Sequence, residues 1–275
     1  MKNNVNYGRQ FGLWLVMFIC ITAVSIGASI FPLWVNLPFN VILPIIVLIA
    51  LKPVMFERLK LTTLVLMRVF ILVPAFHLMP GNLYVKVILV MLFINIMEAT
   101  MTDLLKNKMY FNFVSGLFLA ASVFFLAGEW TEGFAGPFSC IYNADVTRRG
   151  AGIFNANGYV TAATIAWVAA YTIWNWIFVI GEFSPSVGYL HVGILLSPIV
   201  SMLLSGNPGH WLIFRANSLT AGGVFQIGKK EYVEKTLEND KFASFVEKVK
   251  SRNVQIVLMI VNLALIGYTA FTYFA

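Results

Sequence analysis

Several side chains that could do chemistry lie inside long apolar runs of this sequence or at their edges. The ionisable ones are Arg68, Glu98, Glu182 and His191, and the amides beside them are Asn95 and Asn175. An ionisable group at the middle of a membrane span costs roughly 2.5–3.5 kcal/mol on insertion scales, so such groups usually serve a function. These six residues are therefore the candidate binding residues for a small ion or solute.

The positions of these residues in the apolar runs place them at a common depth. With a rise of 1.5 Å per residue, Arg68 lies about 10 Å from the inner start of its run, and Glu98 and His191 lie about 7 Å from the inner ends of theirs. Asn175 lies about 9 Å above the inner end of its run, where Glu182 stands. The sequence thus predicts a polar layer in the cytoplasmic half of a membrane bundle.

Each of these residues also has a purely structural interpretation. Glu98 is the natural partner of Arg68, and a buried Arg68–Glu98 pair could do no more than fix helix register. The tryptophans on either side of Asn175 are typical of an interfacial belt. Glu182 can be a loop carboxylate in "GEFSPS", and His191 can be a packing histidine.

The composition identifies the protein class that must hold these side chains. Of the 275 residues, 59% are hydrophobic and only 11% are charged, whereas soluble domains carry about 25% charged residues. Apolar runs this long predict an all-α, polytopic integral membrane bundle that forms a single transmembrane domain over 1–275. The predicted spans are 11–31, 39–55, 61–79, 83–103, 111–128, 159–181, 186–205 and 253–275, with "WVNLPFN" and "MPGN" as tight turns.

The basic residues set the orientation of the bundle. The net charge is +7, but the Lys and Arg side chains sit mostly in short loops beside spans, so we expect no nucleic-acid partner. With a cytoplasmic N-terminus, seven basic residues fall inside and three fall outside, which favours that topology in a plasma or inner membrane. The inner ones are Lys2, Arg9, Lys52, Arg58, Lys60, Lys106 and Lys108, and the outer ones are Lys86, Arg148 and Arg149.

The segment 206–252 conflicts with an eight-span count, because its charged part would then lie outside. A ninth, atypical span over 211–228 returns that part to the cytoplasm, and we favour this interpretation. The residues 229–252 predict an amphipathic surface helix with an apolar stripe at i, i+3, i+4 and i+7. In this scheme His210 and Arg215 border the membrane.

Two further features have competing interpretations. Arg148 and Arg149 stand among glycines in "NADVTRRGAGIFNANG", which could hold an anion or a lipid headgroup or be a solvated loop. Small residues recur every four positions from Gly193 to Ser205 and from Ala162 to Ala170. Such stripes favour close helix packing within the bundle, with homo-oligomer contact as the alternative.

Known enzyme motifs are absent from the sequence. It contains no P-loop, HExxH or GxSxG, and its two cysteines and three histidines match no zinc spacing, so no cofactor is indicated. The polar layer favours a small transporter or channel that handles a cation or a proton. The alternatives are an intramembrane enzyme in which His191 and Glu182 act as acid and base on a lipid, and a scaffold that binds partners through 229–252.

Overall fold

The structure is a computed structural model that describes residues 7–51, 81–132, 140–146 and 158–274. The predicted span 61–79 lies outside the described residues. Three of the predicted site residues, Arg68, Arg148 and Arg149, also lie outside them.

The described chain forms a helical bundle with a short β-ribbon. In chain order its elements are α1 (Tyr7–Ile30), a π-helical segment (Pro32–Ile42), α2 (Leu43–Leu51), α3 (Gly81–Thr102), a π-helical turn (Asp103–Asn107), α4 (Tyr110–Ser122), β1 (Leu126–Glu132), β2 (Cys140–Val146), α5 (Gly158–Glu182), α6 (Pro185–Ser205), α7 (Trp211–Gly228), α8 (Lys230–Thr236), α9 (Asp240–Lys250) and α10 (Arg252–Phe274). Short 3₁₀ turns follow α4 and precede α7.

Five helices in the described ranges are long and apolar enough to cross a membrane. They are Tyr7–Ile30, Lys86–Asn107, Ala162–Glu182, Pro185–Ser205 and Arg252–Phe274. α5 and α6 form the buried centre, whereas α1 and α10 expose large apolar side chains such as Ile19 and Phe271. An apolar outer surface around a packed helical centre fits a membrane helix bundle, and the count of eight or nine spans stays a prediction.

The predicted turn "WVNLPFN" is wrong, because this stretch continues as the π-helical segment Pro32–Ile42. Asn40 donates a hydrogen bond to the side-chain oxygen of Asn36 at 3.0 Å, and both amides are fully buried. Pro38 lies within the same segment. This side-chain hydrogen bond spans one helical turn around Pro38 and satisfies one polar atom of each buried amide.

The fifth predicted span is also shorter than expected. α4 ends at Ser122, and the chain then enters β1, which pairs antiparallel with β2 from Leu126↔Val146 to Glu132↔Cys140. A two-stranded ribbon satisfies backbone groups by pairing, which suits a segment at the end of a bundle. The first of its strands packs against α3.

Contacts between the helix ends define two ends of the bundle. Asn239 donates to Gln10 at 3.2 Å, and Ser184 donates to Glu234 at 3.0 Å. The start of α1, the α5–α6 turn and the α8–α9 segment therefore share one end, which we call the basic end. α7 begins after Ser205 at the opposite end, the ribbon end, and runs back to the basic end over 18 residues, about 27 Å.

α7 is buried on nearly all sides. It packs against α1, α6, α2 and the π-helical segment. Asn217 donates to the backbone oxygen of Ser25 at 3.0 Å and to the hydroxyl of Ser29 at 2.7 Å, and Ser25 donates to the backbone oxygen of Phe214 at 2.9 Å. A helix enclosed by protein need not face lipid, so it can be polar, which explains the low hydropathy of this segment.

The charged segment between α7 and α10 covers the basic end. α9 is amphipathic, and its Val246 and Val249 are buried against Ile180 at the end of α5. Phe242 and Trp176 complete this contact with ring centroids 6.4 Å apart. The apolar stripe of α9 is therefore used inside the chain, and its charged face points outward.

The small-residue stripe of α6 lies within the bundle. Gly193 of α6 faces Trp14 and Phe18 of α1, where an added methyl would stand 3.3 Å from the indole nitrogen. Ser197 and Ser201 on the same stripe are fully buried. The α6 stripe thus allows the close approach of α1 within one chain.

Candidate functional site

A polar cluster joins α5, α6 and α7 in the core of the bundle. Arg215 Nη2 donates to Asn175 Oδ1 at 2.9 Å, and His191 Nε2 lies 3.0 Å from the same oxygen. His191 Nδ1 lies 3.4 Å from Gln226 Oε1. We call these four residues the central cluster, and each is at most 8% exposed.

Arg215 is the most unusual member of the central cluster. Its side chain is 2% exposed, and its guanidinium lies over the ring of Tyr171, with Cζ 5.5 Å from the ring centroid. Within the described residues, its Nε and Nη1 atoms have no hydrogen-bond acceptor. A buried charge is normally paired and fully hydrogen-bonded, because removing it from water costs several kcal/mol.

The hydrogen bonds fix part of the proton arrangement at His191. Arginine only donates, so the Asn175 atom facing Arg215 must be the amide oxygen, which only accepts. His191 Nε2 contacts that oxygen and must therefore carry a proton. If the His191 ring is neutral, its Nδ1 accepts and must face the amide nitrogen of Gln226. If the ring is charged, Nδ1 donates to the amide oxygen of Gln226. Rotation of the Gln226 amide therefore accommodates either state.

Aromatic side chains enclose one side of the central cluster. The Tyr171 ring lies 5.0 Å from Trp211 and 5.7 Å from Trp167, measured between centroids. Trp211 precedes Arg215 by four residues on α7, so the two side chains share a helix face beside Tyr171. In the described chain the indole Nε1 of Trp211 also has no acceptor.

A second polar group lies at the basic end of the bundle. Lys106 pairs with Glu182 at 2.6 Å, and the carboxylate of Glu182 is only 6% exposed. Asp103 is fully buried and accepts from Asn112 at 2.7 Å and from Asn107 at 3.2 Å. These carboxylates therefore have partners of their own and are not bonded to Arg215.

The second polar group and the central cluster lie on two sides of α5. The amide nitrogen of Asn112 also lies 3.3 Å from the backbone oxygen of Trp174, the residue before Asn175. Asn112 and the central cluster are thus at similar depth on two sides of one helix. Within the described residues, no set of three or more His, Cys, Asp and Glu side chains could hold a metal ion.

Comparison with known proteins places the chain in a family. Residues 13–274 match DUF5692, which is described as a family of unknown function. The chain belongs to DUF5692. No curated protein and no solved structure matches it.

The structure of this DUF5692 chain brings together two of the predicted site residues, Asn175 and His191. Glu182 instead contacts Lys106, and it makes no hydrogen bond to His191. Asn95 and Glu98 lie on α3, which does not contribute to the central cluster. The predicted Arg68–Glu98 pair involves a residue outside the described ranges.

Two members of the central cluster, Arg215 and Gln226, were missed from the sequence. Arg215 was expected at the membrane border, and the structure places it in the core instead. The signal was present in the helical spacing: Arg215, Gly222 and Gln226 stand at i, i+7 and i+11, on one face of α7. Asp103, which lies outside the central cluster, was taken as the last residue of the predicted span 83–103, although it is fully buried.

Proposed function

We propose that this chain is a small multi-pass membrane transporter or channel and that the central cluster contacts its solute. The observation that carries the proposal is the buried guanidinium of Arg215, which within the described residues has one hydrogen bond, to Asn175, and two donor nitrogens without an acceptor. Intramembrane ionisable residues usually mark substrate or ion pathways. The cluster also draws residues from three neighbouring helices, the usual construction of a site inside a bundle.

The bilayer and the orientation belong to the same proposal. We place the five long apolar helices and α7 across the membrane, with the basic end in the cytoplasm of a cell whose plasma or inner membrane holds the protein. The basic end carries most of the described basic residues, which favours this orientation. These are Arg9, Lys106, Lys108, Lys229, Lys230, Lys235, Lys241, Lys248, Lys250 and Arg252.

The geometry gives less support to the alternatives. An acid–base pair of His191 and Glu182 needs both groups at one reacting atom, yet Glu182 is held by Lys106 at the basic end. A scaffold role would use the charged segment 229–252 as its docking surface, and the charged face of α9 does point outward. That role gives no part to the central cluster.

Reconstituted protein in liposomes tests the proposal. A voltage-sensitive dye reports ion movement, and stopped-flow light scattering reports neutral solutes, across a panel of monovalent salts and small polar molecules. We expect the wild type to move at least one of them faster than protein-free liposomes. Asn175→Leu should abolish that movement, because it removes the oxygen shared by Arg215 and His191.

The matched control is Thr269→Val. Thr269 is also fully buried and donates to the backbone oxygen of Ala163 at 3.3 Å, but it lies on α10, away from the central cluster. This variant should retain the wild-type rate. Equal rates for Asn175→Leu and the wild type, or no movement above protein-free liposomes, would contradict the proposal.

A further inference from the structure

The chemistry of the central cluster indicates which solutes it can take. Buried hydrogen-bond donors in and beside the cluster lack acceptors. Within the described residues, Nε and Nη1 of Arg215 and Nε1 of the neighbouring Trp211 have none. Asn175 Oδ1 already receives two contacts. A site with spare donors and no spare acceptor favours a ligand that accepts hydrogen bonds.

The charge of the site also favours a ligand that accepts hydrogen bonds, because it favours an anion. Arg215 carries a permanent positive charge, and two buried carboxylates of the described chain have hydrogen-bond partners other than Arg215. Glu182 is bound to Lys106, and Asp103 is bound to Asn112 and Asn107. A cation at the central cluster would be repelled by the guanidinium, whereas an anion would compensate its charge.

The shape of the donor set narrows the class of anion. The guanidinium is a planar fork that matches the two oxygens of a carboxylate, and one fixed positive charge balances one negative charge. The rings of Tyr171 and Trp211 stand beside the fork and offer an apolar wall. With a neutral His191, a phosphate dianion would remain undercompensated there.

We infer that Arg215 and Trp211, with Asn175 holding the guanidinium in place, form a binding site for a small carboxylate monoanion. This inference rests on the proposed function, of which it names the substrate class. The carboxylate oxygens accept from the spare nitrogens of Arg215 and Trp211, and the body of the ligand contacts the aromatic rings. No carboxylate residue of the described chain occupies that position.

Binding of acetate to the purified full-length protein tests this inference, with acetamide as the neutral molecule of nearly the same shape. Acetate should raise the thermal unfolding midpoint and quench tryptophan fluorescence in a saturable way, and acetamide should do neither. Losing charge-assisted hydrogen bonds should weaken acetate binding roughly ten- to a hundredfold in Arg215→Met. Arg215→Lys keeps the charge without the fork and should bind weakly.

Lys248→Met is the control, because it removes an exposed basic residue of α9 and should bind acetate like the wild type. Equal effects of acetate and acetamide, or wild-type acetate binding by Arg215→Met, would overturn the inference. Solute movement that depends on Asn175, in a protein that does not bind acetate, leaves transport standing and rejects the carboxylate site. Acetate binding without any solute movement rejects transport and keeps the site.

Discussion

Arg215 places a guanidinium in the core with an amide and an aromatic ring as its described partners. Replacing buried ionic groups by apolar side chains of similar volume is often neutral or stabilising, whereas removing one partner and leaving the other charge buried is destabilising. The stability of variants at this position therefore separates a functional charge from a structural one.

We predict that Arg215→Met leaves the unfolding free energy unchanged or raises it by up to about 4 kcal/mol, while it weakens acetate binding roughly ten- to a hundredfold. Asn175→Leu should lower stability by about 1–3 kcal/mol, because it deprives a buried charge of its acceptor. Combining the two substitutions should recover most of that loss. Thermal unfolding in detergent measures all three, and a large destabilisation by Arg215→Met would indicate a structural role.

His210 lies in the turn before α7, outside the long apolar helices, and its Nδ1 is 3.0 Å from the Ser205 hydroxyl. Burial lowers the pKa of His210 from 6.5 to about 4. Between these values the unfolded chain binds the proton and the folded chain does not, so stability should fall as the pH drops from about 6.5 to about 4.

The unfolding midpoint at pH 7 and at pH 4.5 checks this prediction. The wild type should lose more stability between the two pH values than His210→Asn, which cannot take up the proton. Other titrating groups affect both proteins equally and cancel in the difference. An identical loss in both would show that His210 is protonated as readily in the folded chain as in the unfolded one.

Sequence reasoning found Asn175 and His191 because each is a polar residue inside a strongly apolar run. Arg215 was expected at the membrane border of a ninth, atypical span, and Asp103 was taken as the end of a span, because the hydropathy around both residues is low. The structure buries both residues and encloses α7 among other helices. Hydropathy reports contact with lipid and not depth in a bundle.

At the scale of elements, the position of α7 depends on close packing against α6. A methyl group added at Gly222 would stand 2.5 Å from Cγ1 and Cδ1 of Ile194. Gly222 thus lets α7 approach α6, which places Gln226 and Arg215 beside His191 and Asn175. The helices themselves could be predicted from the apolar runs, but this pairing could not, because it depends on side-chain shape.

We predict that Gly222→Ala lowers the unfolding free energy by about 1–3 kcal/mol through overpacking. Combining Gly222→Ala with Ile194→Ala should cost less than the sum of the two single losses, because the clashing atoms are then absent. The control is the next residue: an added methyl at Gly223 meets no atom within 4 Å, so Gly223→Ala should be neutral or slightly stabilising. Equal behaviour of the two alanine variants would contradict the packing of α6 on α7.

For the whole molecule, the passage of α7 through the bundle decides on which side the charged segment lies. Single cysteines at Arg9, Ser244 and Glu129, in a chain whose Cys20 and Cys140 are replaced by serine, can be labelled with an impermeant maleimide in oriented membranes. We predict that Arg9→Cys and Ser244→Cys react from one side and Glu129→Cys from the other. Reaction of Ser244→Cys on the same side as Glu129→Cys would show that α7 does not cross the membrane.

We propose that the central cluster of α5, α6 and α7 contacts a solute that crosses the membrane. Solute movement into liposomes by wild type, Asn175→Leu and Thr269→Val tests it most directly. Movement by the wild type and Thr269→Val, with none by Asn175→Leu, is the predicted result. A wild type no faster than protein-free liposomes, or an Asn175→Leu variant as fast as the wild type, would contradict it.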